Sequence, residues 1–330
     1  MNKILSIIVP SYNAEIFLPK GIPTFLDKEI LGDIEILIID DGSSDDTARI
    51  ADNYHAMYPD TIIAVHKKNG GHGSAINKGI ELAQGKYFCV VDADDWVDTS
   101  SFVTLIQKMK ACDVDLFLAH AAVVDSDGKA FDYKRIKSLP EGIEVELKQY
   151  IGKVPNIDMH NYYIRTDLLR KNKIQCHEHS FYVDQEYVLY SLFYVKTVIY
   201  LDLIVYQYLI GRRGQSFSME SRKKYLDQYI NILEALIFFY DSKKDEMNEG
   251  QRVHYKRKIA HLFTGVYGVL LAYNTKDRRD QLKKIDQDMK CRYPYIYDAN
   301  RNFCVTLLRV TSFRIYYLCA FVYKIVNRLY

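Results

Sequence analysis

At 330 residues, with 48% hydrophobic and 26% charged residues, the chain can bury a full-sized core and has the make-up of a globular protein, not a disordered or fibrous one. Its net charge of +2 is unevenly spread: residues 251–330 hold 16 Lys/Arg against 5 Asp/Glu, and the first 250 residues hold 28 against 37. The C-terminal end is therefore expected to face something anionic, and no nucleic-acid partner is expected.

The first hundred residues alternate strand and helix signals. Apolar runs at Leu5–Val9, Ile34–Ile39, Ile62–Val65 and Tyr87–Val91 read as buried strands. Helical stretches at 14–27, 45–58 and 74–84 lie between them, and such alternation predicts an α/β fold with a mostly parallel sheet. A helix over 98–111 follows, with Asp98 or Thr99 as cap, then a strand over 114–124 and a turn at 125–128. Further strands are expected at Tyr162–Ile164 and Val198–Tyr208, and helices at 220–240, 251–273, 277–290 and 303–329.

That gives three expected parts: 1–110, 111–215 and a helical module at 216–330. In the last helix, Cys304, Leu308, Ile315, Leu318, Val322, Ile325 and Leu329 form an apolar stripe, with Arg309, Arg314, Lys324 and Arg328 mostly away from it. Its longest uncharged stretch, 315–323, is nine residues, short of the ~20 that a spanning helix requires. Two readings stay open for 303–330: docking on the protein's own core, or lying on an anionic membrane surface.

Six cysteines (Cys89, Cys112, Cys176, Cys291, Cys304, Cys319) show no CxxC spacing, so neither a zinc site nor a redox motif is expected. The apolar stretch before Pro10 is too short for a signal peptide, and a cytoplasmic protein with reduced thiols is the expectation. Twenty-eight tyrosines suit core packing, carbohydrate stacking or a membrane interface.

Four polar clusters follow the four early strands: Ser11-Tyr12-Asn13, Asp40-Asp41-Gly42, Asn69–Gly73 and Asp92–Asp95. In a parallel sheet these ends line one rim, where ligands gather. A buried strand running into Asp92-Ala93-Asp94 must release those carboxylates at its exposed end. There they are suited to a hard dication, Mn2+ or Mg2+, with positions left open for diphosphate oxygens. The glycines at 70, 71 and 73 precede a helix N-terminus, which favours an anion or close ligand approach.

In sequence order, SIIVPSYNAE (6–15), IIDDGSSDDT (38–47), NGGHGSAINKGI (69–80) and VVDADDWVD (90–98) resemble the family 2 glycosyltransferases of GT-A fold, bacterial polysaccharide type. The resemblance is carried by residues 4–110 and extends toward 215. It implies inverting transfer of a sugar from a nucleotide-diphosphate donor, by family habit a UDP-sugar, to a glycan or lipid-linked acceptor at the inner face of the membrane. It also implies that Pro10, Tyr12 and Asn13 border the nucleotide, and that Asp41 meets base or ribose. Asn69, Gly71 and Asn77 would floor the donor pocket, Asp92 would touch ribose or metal-bound water, and Asp94 would bind the metal.

The family's base is usually an Asp about ninety residues after this acidic motif, which points to Asp184. Val183 stands where an acid is usual, and Glu186 or Glu178 are the alternates. Gly211–Ser216 resembles the basic loop that closes on the diphosphate, implying contacts from Arg212, Arg213, Gln215 and Ser216. One departure is Ile76, where many members carry Arg; Lys78 is the nearby cation. Tyr162, Tyr163, Phe181 and Tyr182 form either an acceptor platform or core. The histidines, lacking metal spacing, read as structural or pocket-lining. Two rival readings are a sugar-1-phosphate nucleotidyltransferase and an inactive scaffold with the same core.

Overall fold

A computed structural model of the chain describes residues 3–136, 138–154, 156–211, 215 and 218–326. It divides into two compact units, Met1–Ile210 and Gly211–Tyr330.

The first unit is built on one sheet. The four early apolar runs become β1 (Leu5–Ser11), β2 (Ile34–Asp40), β3 (Ile62–His66) and β4 (Tyr87–Val90). The rest are β5 (Trp96–Val97), β6 (Leu116–Val124), β7 (Ala130–Lys134), β8 (Glu144–Glu146), β9 (Tyr162–Arg165) and β10 (Thr197–Leu209). Their order is β3-β2-β1-β4-β9-β6-β10-β5, with β7 paired to β6 and β8 to β10.

β1 runs parallel to β2 and β4, β2 to β3, and β6 to β10. β9 lies antiparallel to both β4 and β6, so those two run the same way. Six strands, β1 to β4 with β6 and β10, therefore bring their carboxyl ends to one edge of a mixed, mostly parallel sheet. Every residue of β1, β2, β4 and β6 is buried, as strands covered on both faces require. Leu5, Ile7 and Val9 share a core with Ala51 of the Thr47–Met57 helix and Phe102 and Leu105 of the Thr99–Ala111 helix. On the opposite face, Gly79 of the His72–Leu82 helix sits directly on Ile8, with no room for a Cβ between them.

The helix expected over 14–27 is two short pieces, Leu18–Gly21 and a 3-10 turn at Ile22–Phe25. Pro19 and Pro23 lack the N–H that would carry one helical ladder through both.

The second unit is helical: Met219–Lys224, Leu226–Lys243, Glu249–Tyr273, Lys276–Arg292, Pro294–Ala299, Phe303–Val310 and Tyr316–Val326. Asn248 and Gln251 form a capping box at the start of the longest helix. The expected single helix over 303–329 is broken: Ser312 and Phe313 take positive φ (50° and 62°), and Phe313 turns inward as a buried residue. Arg309 is not on a solvent face. It pairs with buried Asp286 at 2.8 Å and lies 3.4 Å from the centroid of the Tyr297 ring. Tyr267 donates to the same carboxylate. Arg328 and Leu329 lie outside the described residues.

Candidate active site

At the edge where the six strands end, the first three loops are laced together by their own polar groups. Asn13, at φ 51°, donates its N–H to Ser43 Oγ at 3.0 Å and accepts the Ser44 N–H at 2.9 Å, joining the ends of β1 and β2. Asn tolerates this left-handed backbone better than most residues. Asp41 is buried and takes three donors: Lys67 Nζ at 2.6 Å, the Gly70 N–H at 2.9 Å and the Gly71 N–H at 2.7 Å. Asn69 Nδ2 donates to the Asp41 carbonyl at 2.8 Å. The carboxylate thus holds the glycine loop in shape.

The next residue in that loop reaches the acidic motif. His72 Nε2 lies 2.9 Å from Asp92 Oδ1, so Asp41 and Asp92 are tethered to consecutive residues. Burial works against a charged imidazole at His72, but Asp92, Asp184 and Asp94 outweigh it and hold its pKa above the ordinary value.

The Asp92–Asp95 turn is held from below by β10, more than a hundred residues away in sequence. Tyr206 Oη donates to Asp95 Oδ2 at 2.6 Å and accepts the Asp92 N–H at 3.2 Å, while the Leu209 N–H reaches Asp95 Oδ1 at 2.8 Å. Burial, and behind it the charges of Asp94 and Asp92, push the Asp95 carboxyl well above the usual carboxylate range. Gly21 abuts the Asp95 carbonyl so closely that a side chain there would displace the turn.

Asp92, Asp95 and His160 offer ligand atoms within 4.8 Å of one another. Lys134 Nζ, however, stands 3.1 Å from His160 Nδ1. An ammonium only donates, so Nδ1 accepts and the proton of a neutral ring sits on Nε2. The half-buried carboxylates of Asp92 and Asp94 remain as oxygen donors suited to a hard dication.

From the other half of the sheet, the segment 176–183 lies over the glycine loop. Asn77 clamps Cys176 in both directions, Nδ2 to its carbonyl at 2.9 Å and Oδ1 from its N–H at 2.8 Å. The His179 N–H bonds the Gly70 carbonyl at 2.5 Å, and a Cβ on Gly73 would collide with the His177 carbonyl. Glu186, fully buried, accepts the His177 N–H at 2.9 Å, faces His177 Nδ1 at 2.6 Å and accepts Tyr190 Oη at 2.9 Å. Held this way, Asp184 opens the Asp184–Leu192 helix, and its charge is felt at His72 and Tyr208. Those same two side chains feel Asp92 and Asp94.

Comparison with known proteins identifies the family and the fold. The profile of glycosyl transferase family 2 matches residues 6–180. The chain belongs to that family. A curated relative, the uncharacterized glycosyltransferase EpsJ of Bacillus subtilis, is 39% identical over 116 residues, 35% of this chain and 33% of EpsJ; the match spans only a third of that relative's length. Among solved structures, Staphylococcus aureus TarS 1-349 in complex with UDP-GlcNAc superposes with a TM-score of 0.67 at 17% identity, covering 97% of this chain and 91% of that one. A mannosyltransferase from Pyrobaculum calidifontis, in complex with GDP-Man and Mn2+, gives 0.53 at 13% identity, covering 99% and 88%. At such identities the likeness carries the fold, which is GT-A.

Set against the family's motifs, the expected residues fall into three groups. Pro10 is the second-last residue of β1, Tyr12 is exposed just beyond its end, Asn13, Asp41, Asn69, Gly71, Asp92 and Asp94 lie in the loops that follow the strands, and Asp184 begins its helix. Asn77 and Asp41 are engaged in holding loops. Gln215 accepts the Gly211 N–H in the second unit, whereas Arg212, Arg213 and Ser216 lie outside the described residues.

The structure bears on three further readings. Lys78 pairs with Glu81 one turn along its helix. Of the two readings open for Tyr162 and Tyr163, platform or core, burial gives core. Glu186, sealed in and fully engaged, does not serve as an alternate base. The sequence reading took His72 only as structural or pocket-lining, and it missed Lys67, Tyr206 and Gly21. For His72, the signal was its place at the helix start in the third motif; the others gave none.

Proposed function

We propose that the chain is a metal-dependent, inverting glycosyltransferase. It would move a sugar from a nucleotide-diphosphate donor, a UDP-sugar, to a hydroxyl of a glycan or lipid-linked acceptor in cell-surface polysaccharide synthesis. The observation that supports this most is the packing of the 176–183 segment, which leads into Asp184, over the glycine loop whose His72 holds Asp92, although 90 residues separate Asp184 from Asp94 in sequence.

In this reading Asp92 and Asp94 hold Mn2+ or Mg2+, with oxygen donors that match a hard cation. When bound, the ion supplies Lewis acidity toward the diphosphate. Asp184 accepts the proton of the acceptor hydroxyl as its oxygen bonds to the anomeric carbon; the bond from that carbon to the diphosphate breaks on the opposite side. Tyr12 and Asn13 border the nucleotide, Asp41, Asn69, Gly71 and Asn77 shape the donor pocket, and Arg212, Arg213, Gln215 and Ser216 supply the basic loop that meets the diphosphate. Among the described residues no helix is long and apolar enough to cross a membrane, and a peripheral position at the cytoplasmic face is part of the reading.

TarS was solved with UDP-GlcNAc and the Pyrobaculum enzyme with GDP-Man, so the fold accommodates either nucleotide. A thermal-shift screen of UDP-, GDP- and dTDP-sugars, with manganese and with chelator, tests the donor assignment. Stabilisation by a UDP-sugar that requires the metal is the expected result. No response to any nucleotide-sugar, or turnover of sugar-1-phosphate with a nucleoside triphosphate, would overturn it.

A further inference from the structure

The C-terminal Tyr316–Val326 helix carries a single charged residue, Lys324, and its two broad faces are both apolar, yet only one of them is buried. Tyr316, Cys319 and Ala320 are buried against the Glu249–Tyr273 helix: Tyr316 Oη donates to the Leu270 carbonyl at 2.6 Å, and the Tyr323 hydroxyl rests on Gly268. The opposite arc is open. Leu318 is 60% exposed, Phe321 59%, Val322 50% and Ile325 47%, spaced at i, i+3, i+4 and i+7. Docking on the protein's own core is thus seen on one side of the helix, and the other side leaves room for a second contact.

We infer that this outward arc is a membrane-interface surface that lies on anionic lipid. This deepens the peripheral part of the reading above and stands apart from the transfer chemistry. Scattered exposed apolar residues are ordinary, but a continuous stripe of large ones along a helix face marks a binding surface.

Charge selects the occupant. Arg314 is exposed just ahead of the helix, and Lys324 lies at the border of the arc. The Arg279 guanidinium, paired with Asp280 at 2.9 Å, stands 5.9 Å from the ring centroid of Tyr317, itself 44% exposed. Lys223 is close enough to Lys324 for its pKa to be lowered, by burial first and by that neighbour second. No acidic residue follows Asp298 in the sequence. An isologous pairing with a second copy would press these like-charged borders together. An anionic headgroup layer meets them with opposite charge while the apolar arc enters the acyl boundary. The helix is 11 residues long, so it lies along the surface and does not span.

The test is flotation of the full chain with phosphatidylcholine vesicles and with vesicles that also contain phosphatidylglycerol. Binding to the anionic vesicles, weakened by salt, is expected. Replacing Phe321, Val322 and Ile325 together by Ser should abolish it. Lys324→Glu, which keeps the apolar arc, should weaken it about fivefold or more. Neither variant should alter the circular dichroism or the turnover of a water-soluble acceptor, since all four positions lie outside the site. Undiminished flotation of the triple variant, or equal binding to neutral vesicles, would overturn the inference. So would light scattering that shows a dimer which the triple variant converts to monomer. Absence of sugar transfer by the wild-type chain, with flotation intact, would instead count against the transfer reading and leave this inference standing.

Discussion

His72 Nε2 sits 2.9 Å from Asp92 Oδ1, and the residue before it, Gly71, gives its N–H to Asp41 at 2.7 Å. Two carboxylates from different strand ends are thus fixed by neighbouring links of one loop. A nucleotide lying along that loop would meet the ends of β1, β2 and β4 at once.

Asp94→Asn removes an oxygen charge from the proposed cation site without changing the shape of the turn. Metal-dependent binding of the donor should fall at least tenfold, to the level wild type shows in chelator (about 1.4 kcal/mol per decade). Calorimetric titration of the UDP-sugar with and without manganese reads it. Unchanged affinity would remove Asp94 from the metal site.

Asp184→Asn should leave donor affinity nearly intact and lower turnover on the order of 10²–10⁴-fold, the range for a lost general base. The informative comparison is kcat against donor affinity in the same preparation. Full turnover would shift the role of base to another group.

Gly73→Ala places a methyl group against the His177 carbonyl, so the 176–183 segment has to lift from the glycine loop. A stability loss of about 1–3 kcal/mol is expected, with turnover falling more than donor binding. Denaturant unfolding and kinetics together check it, and a wild-type-like variant would mean that the segment yields freely.

Glu186→Gln keeps the shape of the side chain but turns one acceptor into a donor facing groups that themselves donate. The expected cost is about 1–3 kcal/mol, because a buried polar group loses its partner. Since Glu186 does not touch the reacting atoms, retained donor affinity with lowered kcat is the expected pattern.

His120 gives the fold a pH dependence. Its Nδ1 accepts the Ile136 N–H at 3.0 Å and its Nε2 lies 2.7 Å from Asp202 and 2.8 Å from Tyr200. Burial, despite Asp202, lowers its pKa below 6.5. The folded state therefore binds the proton less readily than the unfolded one. The stability it contributes is present above 6.5 and is lost as pH falls below 6.5 toward the folded value. Unfolding midpoints should decline over that window in wild type and stay flatter in His120→Asn.

The sequence by itself determined the α/β half of the molecule. Unbroken β-branched runs do not remain in water, and each run here ends in charged or hydroxyl residues that do not stay buried. Strand positions and a polar rim follow from those two facts. The acidic motif and the glycine loop were legible because each sits where a buried element must surface, whereas Asp184 was suggested only by the resemblance to the family.

Only the tertiary structure decided which polar groups are free and which are used up. Asp41, Asn77 and Glu186 are consumed in holding loops from other parts of the chain, and Tyr206 reaches Asp95 across 111 residues. Periodicity also could not choose between the two faces of the last helix, since both are apolar. Packing against the Glu249–Tyr273 helix buried Tyr316, Cys319 and Ala320 and left Leu318, Phe321, Val322 and Ile325 outside. Local sequence carries the cost of burying a side chain, whereas its partner is set by where distant segments come to rest.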